Sequence, residues 1–139
     1  MSNLSNAVDI AAQAHDGQID KLGEPYLEHC RRVAEAVETL DEKIVAYLHD
    51  VIEKGAGWNR VRLRQEAGFS PVVISAVDAL TRREGEEDDD FVRRAALNPL
   101  ARNVKRAALL DNRRQPIAAG RSSAKYDEVL AVLANEFGM

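Results

Sequence analysis

His49 and Asp50 are neighbours that, together with His29 twenty residues earlier and Glu53 three residues later, could gather around one metal ion. Adjacent residues on a helix point about 100° apart, so the pair can share an ion only near the groove between them, where a third ligand arrives from another helix. His29 is the natural third ligand. Glu53 lies on the same helical face as His49, within reach of a water that the ion activates. The spacing predicts the skeleton of a metal-assisted hydrolase.

Length and charge limit what the chain can be. With 139 residues it is long enough for one domain with a real core and too short for two ordinary ones. The net charge is −4, with 19 Lys and Arg spread among 23 Asp and Glu, so no broad positive field exists to bind nucleic acid. The single cysteine, Cys30, excludes an internal disulfide and fits a reducing compartment.

The beginning of the chain does not look like a targeting segment. Residues 1–12 contain Asp9 where a signal peptide needs an uninterrupted apolar core, and no apolar run approaches about 20 residues. We therefore expect a cytoplasmic protein with no membrane partner. Self-association into a homo-oligomer is left open by the sequence.

Apolar residues recur at helical spacing along nearly the whole chain, and only 5% of residues are aromatic. This pattern predicts an all-α fold of seven or eight helices, with a solvated acidic loop over residues 84–90 and an irregular connection over residues 115–122. The predicted helices span residues 3–15, 26–38, 41–52 with Asp41 as the cap, 59–67, 72–80, 91–97, 99–112 and 123–137. The second of them carries His29, and the third carries the His-Asp pair close to its end.

Two runs of residues resemble a known family. They are Ala14-His15-Asp16-Gly17-Gln18 followed by Lys21, Gly23-Glu24-Pro25-Tyr26 and His29, and then Ala46-Tyr47-Leu48-His49-Asp50-Val51-Ile52-Glu53. In order and spacing these runs resemble the HD-domain metal-dependent phosphohydrolases, and among them the alarmone hydrolases of the Rel/SpoT and metazoan SpoT-homologue type. Further matches over residues 77–83 and 98–105 extend the likeness over nearly the whole chain.

The resemblance implies a single HD domain over residues 1–139 and a nucleotide or another phosphorylated small molecule as the partner. Two imidazoles and a carboxylate suit Mn²⁺, Fe²⁺, Co²⁺ or Zn²⁺, and the resemblance favours Mn²⁺. It also implies that Glu53 is the catalytic base and that substrate-binding residues include Lys21 and Asn112. The first substrate to try is guanosine 3′,5′-bis(diphosphate), on which the protein would act as a 3′-pyrophosphohydrolase.

The chain departs from the family pattern at the metal shell. The family completes that shell with an aspartate in a "VKLAD-x-x-x-N" stretch, and Ala108 stands at that aspartate's position in this chain. Asn112 follows four residues later, as the family pattern expects. Asp111, about one helical turn beyond Ala108, is either a substitute ligand, which could reach the ion only with some rearrangement, or merely an acidic neighbour that many relatives also carry. His15 is expected to be a structural histidine whose hydrogen bonds are satisfied.

Two further departures concern the substrate. Lys54 replaces an aspartate that follows the family's glutamate, and it either weakens Glu53 as a base or binds a phosphate oxygen. Asp20 and Lys21 replace an Arg-Lys pair that packs against guanine in the relatives.

Two alternatives to a phosphohydrolase stay open. One is a catalytically impaired HD domain that binds a nucleotide or a protein without hydrolysis, and the other is a helical interaction module that binds no metal.

Overall fold

Helices account for the regular structure of residues 3–139, the part of the chain that this computed structural model describes. The helices are α1 (Asn3–Ala14), α2 (Tyr26–Glu35), α3 (Leu40–Leu48), α4 (Val51–Lys54), α5 (Arg60–Gln65), α6 (Pro71–Ala79), α7 (Asp88–Ala96), α8 (Pro99–Ala118) and α9 (Ala124–Phe137). Over these residues there is no strand, and the isolated antiparallel bridge between Ile19 and Pro25 closes a loop. The all-α prediction is confirmed. The described range holds nine helices rather than seven or eight because the expected third helix is divided in two.

The division falls at the predicted ligands. Helix α3 begins after Thr39, whose side chain accepts a hydrogen bond from the Glu42 backbone N–H while the Glu42 carboxylate accepts one from the Thr39 backbone N–H. This reciprocal capping box, rather than Asp41, starts the helix. The helix ends at Leu48, and Asp50 has a backbone φ of −109° and ψ of 3°, which interrupts the helical path before α4.

Helix α2, which carries His29, ends at Glu35, three residues earlier than predicted. Lys43 Nζ donates hydrogen bonds to the carbonyl oxygens of Ala34 and Val37, at 2.9 and 2.8 Å. These carbonyl groups are thus satisfied without helical partners, and the helix can end here.

Helices α7 and α8 are both longer than predicted. The acidic residues 88–90, expected in a loop, form the first turn of α7, where carboxylates interact favourably with the positive end of the helix dipole. Helix α8 continues through Pro116 to Ala118, into the stretch expected to be irregular. A proline this close to the C-terminal end removes a single backbone hydrogen bond, which the rest of the helix tolerates.

Helices α2, α3 and α8 pack against one another, and α1 and α6 cover α3. Their core includes Val33, Val45, Leu48 and Val104, which are fully buried. A second apolar cluster joins α7, α8 and α9 around Val92, Leu109 and Leu133. None of the helices in the described range is both long and apolar enough to cross a membrane.

Candidate metal centre and its cavity

His29 from α2 and His49 and Asp50 from the α3–α4 junction converge, with one donor atom from each lying within 4.8 Å of the other two. The two imidazoles are buried, and the Asp50 side chain is 14% exposed. The structure thus brings together three of the residues that the sequence proposed as metal ligands. The break between α3 and α4 turns both neighbours toward the same point.

The hydrogen bonds of His49 fix its tautomer. His49 Nδ1 lies 2.5 Å from the Ala46 carbonyl oxygen, which can only accept, so Nδ1 carries a proton and donates it. In the neutral ring Nε2 then holds a lone pair, and it lies 3.0 Å from Asp50 Oδ2. Two acceptors at this distance need a cation between them, either a proton or a metal ion. Burial lowers the pKa of His49, but the Asp50 carboxylate outweighs burial and raises it above its ordinary value.

The hydrogen bonds of His29 leave one ring nitrogen for a ligand. His29 Nδ1 lies 2.6 Å from Asp111 Oδ2, and Nε2 is buried without a hydrogen-bond partner among the described residues. Burial lowers the pKa of His29, which favours the neutral ring that binds metals. The buried Nε2 lone pair beside His49 and Asp50 fits a divalent cation.

Asp111 does not join the three converging residues. Its carboxylate is bound by His29 and by Arg32, whose Nε and Nη2 lie 2.6 and 3.1 Å from the two oxygens. Contrary to the expectation that Asp111 replaces the missing ligand, it lies behind His29. Ala108, at the position of that ligand, is buried in the core cluster.

Tyr26 is a residue of the centre to which the sequence assigned no role. Its hydroxyl donates a hydrogen bond to Asp50 Oδ2, and the centre of its ring lies 4.9 Å from that of His15 and 5.3 Å from that of His29. Burial raises the pKa of Tyr26 well above its ordinary value, so the hydroxyl stays a donor. For Asp50, burial acts to raise the pKa, but the His49 ring and the Tyr26 hydroxyl hold it far below its usual range. Tyr26 lies three residues before His29, on the same helical face, and this spacing was the signal in the sequence that could have identified it as part of the centre.

His15 is not fully satisfied, contrary to the sequence expectation. Gln18 Nε2 donates to the carbonyl oxygens of Ala14 and Lys54, so its Oε1 accepts from His15 Nδ1 at 2.9 Å. His15 Nε2 is left buried without a hydrogen-bond partner in the described part of the chain.

Asp50 opens onto a cavity of about 740 Å³, which is within the usual size range of small-molecule sites. Glu53, Lys21, Lys54 and Asn112, all singled out from the sequence, line this cavity. The cavity wall also contains three further cations and an apolar patch that were not among the predicted site residues: Arg82, Lys105, Lys125, Phe91, Leu109, Tyr126 and Val129. Apart from Arg82, which precedes α7, these residues belong to α7, α8 and α9, and the packing of those helices, which local spacing does not report, decides their positions.

Glu53 is an exposed residue at the edge of this cavity. Glu53 Oε1 accepts a hydrogen bond from the Arg82 backbone N–H, and Oε2 has no partner among the described residues. The two lysines that could form an ion pair with Glu53, Lys54 and Lys43, make other contacts. Lys54 Nζ lies 5.1 Å from the centre of the Tyr26 ring, and Lys43 donates to the carbonyl oxygens at the end of α2. Glu53 therefore keeps one carboxylate oxygen for chemistry.

Asp20 organises the loop that carries Lys21. Its Oδ1 accepts hydrogen bonds from the backbone N–H groups of Leu22 and Glu24 at 2.8 and 3.0 Å, and its side chain is 2% exposed. The Asp20 carboxylate thus stabilises the loop through Oδ1, while it also lines the large cavity and its Oδ2 has no hydrogen-bond partner among the described residues.

Helix α8 separates the large cavity from a second one of about 500 Å³. Lys105, Leu109 and Asn112 face the first cavity, whereas Arg106 and Ala107 face the second. Neighbouring positions on one helix therefore have different surroundings.

Comparison with known proteins gives three findings. A family model described as "HD domain" matches residues 7–114. A "Probable GTP pyrophosphokinase" of Mycobacterium leprae (strain TN) is 29% identical over 157 aligned positions that cover all of this chain, which spans only 20% of that relative's length. A structure described as "A metazoan ortholog of SpoT hydrolyzes ppGpp and plays a role in starvation responses" has a TM-score of 0.73 at 22% identity, over 95% of this chain and 82% of that one.

Proposed function

We propose that this chain, which belongs to the HD domain family as its motifs predicted, is a metal-dependent phosphohydrolase acting on a nucleotide (poly)phosphate. The observation that carries the proposal is the buried group of His29, His49 and Asp50, which opens through Asp50 onto a cavity lined by cations. A carboxylate with a free oxygen, Glu53, lies at the edge of that cavity. Metal ligands, phosphate-binding cations and a base are the components that metal-assisted phosphoryl hydrolysis requires.

We propose that His29, His49 and Asp50 hold one divalent cation. The orphaned Nε2 of His29 and the facing acceptors of His49 and Asp50 support this assignment. Mixed imidazole and carboxylate ligands suit Mn²⁺, which remains the first ion to test. When bound, such a cation polarises a phosphoryl oxygen and lowers the pKa of water.

The charges of the cavity support a phosphorylated substrate. The lining contains five cations and four carboxylates: Lys21, Lys54, Arg82, Lys105 and Lys125, and Asp20, Asp50, Glu53 and Asp88. Arg82 is paired with Asp88 at 2.6 Å, and Asn112 adds an amide that can donate a hydrogen bond. Ammonium and guanidinium groups bind phosphate oxygens through charge-assisted hydrogen bonds. We propose that these side chains hold the phosphates and that Glu53 accepts a proton from the attacking water.

The apolar patch of the cavity supports a nucleotide rather than a simple phosphate. Tyr126, Leu109 and Val129 offer surface on which a base can pack, and Lys125 and Tyr126 belong to α9. Because α9 lies beyond the matched residues 7–114 yet lines the cavity, we propose that residues 1–139 form one HD domain. Guanosine 3′,5′-bis(diphosphate) is the first substrate to try, because the metazoan relative is described as hydrolysing ppGpp.

The direct test is Mn²⁺-dependent release of pyrophosphate from a panel of guanine and adenine (poly)phosphates, including guanosine 3′,5′-bis(diphosphate). We expect turnover by the wild-type protein, loss of metal binding and turnover in His49→Ala, and retained metal binding with at least about a hundredfold lower turnover in Glu53→Gln. Glu84→Gln, at an exposed residue outside the cavity, is the matched control and should match wild type. No turnover across the panel with metal demonstrably bound would reject the proposal.

The second candidate is a catalytically impaired HD domain that binds a nucleotide or a protein. Ala108 favours it, because a buried methyl group replaces a metal ligand of the family pattern. This candidate predicts that a nucleotide raises the melting temperature with Mn²⁺ present and is recovered unchanged. The third reading, a metal-free interaction module, predicts that His49→Ala alters stability only.

A further inference from the structure

Asp111 lies behind His29 and is held there from two sides. His29 Nδ1 is 2.6 Å from Asp111 Oδ2, and Arg32 Nε is 2.6 Å from Asp111 Oδ1. The Asp111 side chain is 11% exposed and that of His29 is 1% exposed, so the bond between these two residues is shielded from solvent. Arg32 contacts both oxygens of the Asp111 carboxylate, at 2.6 and 3.1 Å, and a guanidinium keeps its positive charge, so the carboxylate stays ionised.

An ionised carboxylate can only accept hydrogen bonds, so it fixes the proton of a neutral His29 on Nδ1. Nε2, which is buried without a hydrogen-bond partner among the described residues, then keeps the lone pair for a cation shared with His49 and Asp50. Without Asp111, the proton is free to move to Nε2, and this tautomer cannot bind a metal through that atom. The contact therefore sets the chemical state of His29 as well as its orientation.

The same contact links two helices at the point where the centre lacks a ligand. Asp111 is on α8, one turn beyond Ala108, and Arg32 is on α2, one turn beyond His29. None of the three converging ligands, His29, His49 and Asp50, belongs to α8. The contact of α8 with the centre is the Asp111 carboxylate, which is hydrogen-bonded to His29.

We propose that Asp111 is a positioning residue that gives a centre with three protein ligands its metal affinity, by holding His29 in the Nδ1–H tautomer. Mutation of a carboxylate that is hydrogen-bonded to a metal-binding histidine typically lowers metal affinity by about ten- to a hundredfold. The inference rests on the proposed metal site but not on hydrolysis, and metal binding is therefore measured separately from turnover.

The competing explanation is that Asp111 only forms an ion pair with Arg32 that braces α2 against α8. The two explanations differ in what Arg32→Met and Asp111→Asn do. Arg32→Met removes the ion pair and leaves the carboxylate on His29, whereas Asp111→Asn removes the charge that fixes the tautomer and keeps the shape. A bracing role predicts similar losses of stability in both variants and an unchanged metal site.

The experiment is titration of the metal-free protein with Mn²⁺ by calorimetry, alongside ¹⁵N NMR of the imidazole nitrogens. The chain has only 3 histidines, so the three rings can be assigned with His→Gln variants at positions 15 and 49. We expect the Nδ1–H tautomer at His29 in wild type and a tautomer mixture in Asp111→Asn. We also expect a Kd for Mn²⁺ raised about ten- to a hundredfold in Asp111→Asn and about threefold or less in Arg32→Met. Asp111→Glu should recover most of the affinity.

Each contrary result overturns the inference. A wild-type His29 with its proton on Nε2 would do so without any variant, even if Asp111→Asn failed to fold. Equal Mn²⁺ affinity in wild type and a folded Asp111→Asn would do so as well, and so would a wild-type protein that binds no Mn²⁺. If Mn²⁺ binds as expected and no nucleotide is hydrolysed, the proposed function fails and the role of Asp111 stands.

Discussion

Lys105 Nζ lies 4.0 Å from the centre of the Phe91 ring, inside the large cavity, and pairs with no carboxylate of the described residues. Burial lowers the pKa of Lys105, and the charges of Asp50 and Glu53 offset this only in part. A partly desolvated ammonium without a counter-ion is unfavourable for the free protein and favourable for an arriving phosphate. Phe91 and Lys105 therefore form one wall of the cavity that is suited to binding an anion.

We predict that Lys105→Met raises KM for the phosphorylated substrate by about tenfold or more, because a hydrogen bond to a charged group contributes about 1.5–3 kcal/mol. The free energy of unfolding should stay equal or rise, since a buried charge is removed. Steady-state kinetics and urea unfolding measure the two effects.

Arg106→Met is the matched control for this change. Arg106 is the next residue on α8, faces the second cavity and forms no ion pair within the described chain. Equal KM changes in the two variants would show that Lys105 does not contact the substrate.

We predict that Ala108→Asp restores the ligand expected from the family pattern. In the metal-free protein the new carboxylate is buried without a partner, which should lower the free energy of unfolding by about 1–3 kcal/mol. With Mn²⁺ the added ligand should raise metal affinity by about tenfold or more, the equivalent of about 1.4 kcal/mol. Thermal unfolding with and without Mn²⁺ measures both effects.

Ala107→Asp distinguishes a new ligand from a general effect of charge. Ala107 is as buried as Ala108 but lines the second cavity. It should therefore destabilise the metal-free protein without increasing the stabilisation by Mn²⁺. An equal gain in both variants contradicts the assignment of position 108.

We predict that Glu86 makes the stability of the metal-free protein depend on acid pH. Two hydrogen bonds of 2.9 Å from Arg94 lower the pKa of Glu86 from 4.5 to about 2. A lowered carboxylate pKa stabilises the fold above the unfolded value, and this stability is lost as the pH falls through the folded value. Glu86→Gln should thus cost about 1 kcal/mol at neutral pH, and the difference from wild type should shrink between about pH 5 and about pH 2.

Urea unfolding of the metal-free protein over this pH range is the measurement. Glu84→Gln serves as the control, because Glu84 is exposed and makes no ion pair in the described structure. If the difference between Glu86→Gln and wild type is the same at all pH values, the Arg94 contact does not set the acid response.

We predict that Gly55→Ala destabilises the junction next to the centre. A Cβ at position 55 would lie 2.6 Å from both Ala14 Cβ and the Val51 carbonyl oxygen, and neither atom is the end of a flexible side chain. Relieving the overlap has to move Ala14 of α1 away and shift the backbone between Val51 and position 55, at a cost of about 1–3 kcal/mol in the free energy of unfolding. Adding Ala14→Gly should recover only part of the loss, because the Val51 oxygen remains, and full recovery would show that the backbone contact is harmless.

The sequence predicted the features that depend on short-range spacing. The helix predicted over residues 72–80 is α6, which begins at Pro71 after Ser70, whose Oγ accepts a hydrogen bond from the Val73 N–H. The division after Leu48 was missed, because a continuous apolar pattern does not report the backbone angles of Asp50. The position of α7 was misjudged because acidic residues suit both a solvated loop and the first turn of a helix.

The sequence by itself determined the family and placed His29, His49 and Asp50 together, because linked motifs fix helix faces and their order. Only the tertiary structure decided that Asp111 turns toward His29, a contact between residues 82 positions apart. Only the tertiary structure brought Lys105 and Tyr126 to one cavity. Helical periodicity tells which side of a helix is buried, but the angle at which two helices pack decides which side chains on that side meet.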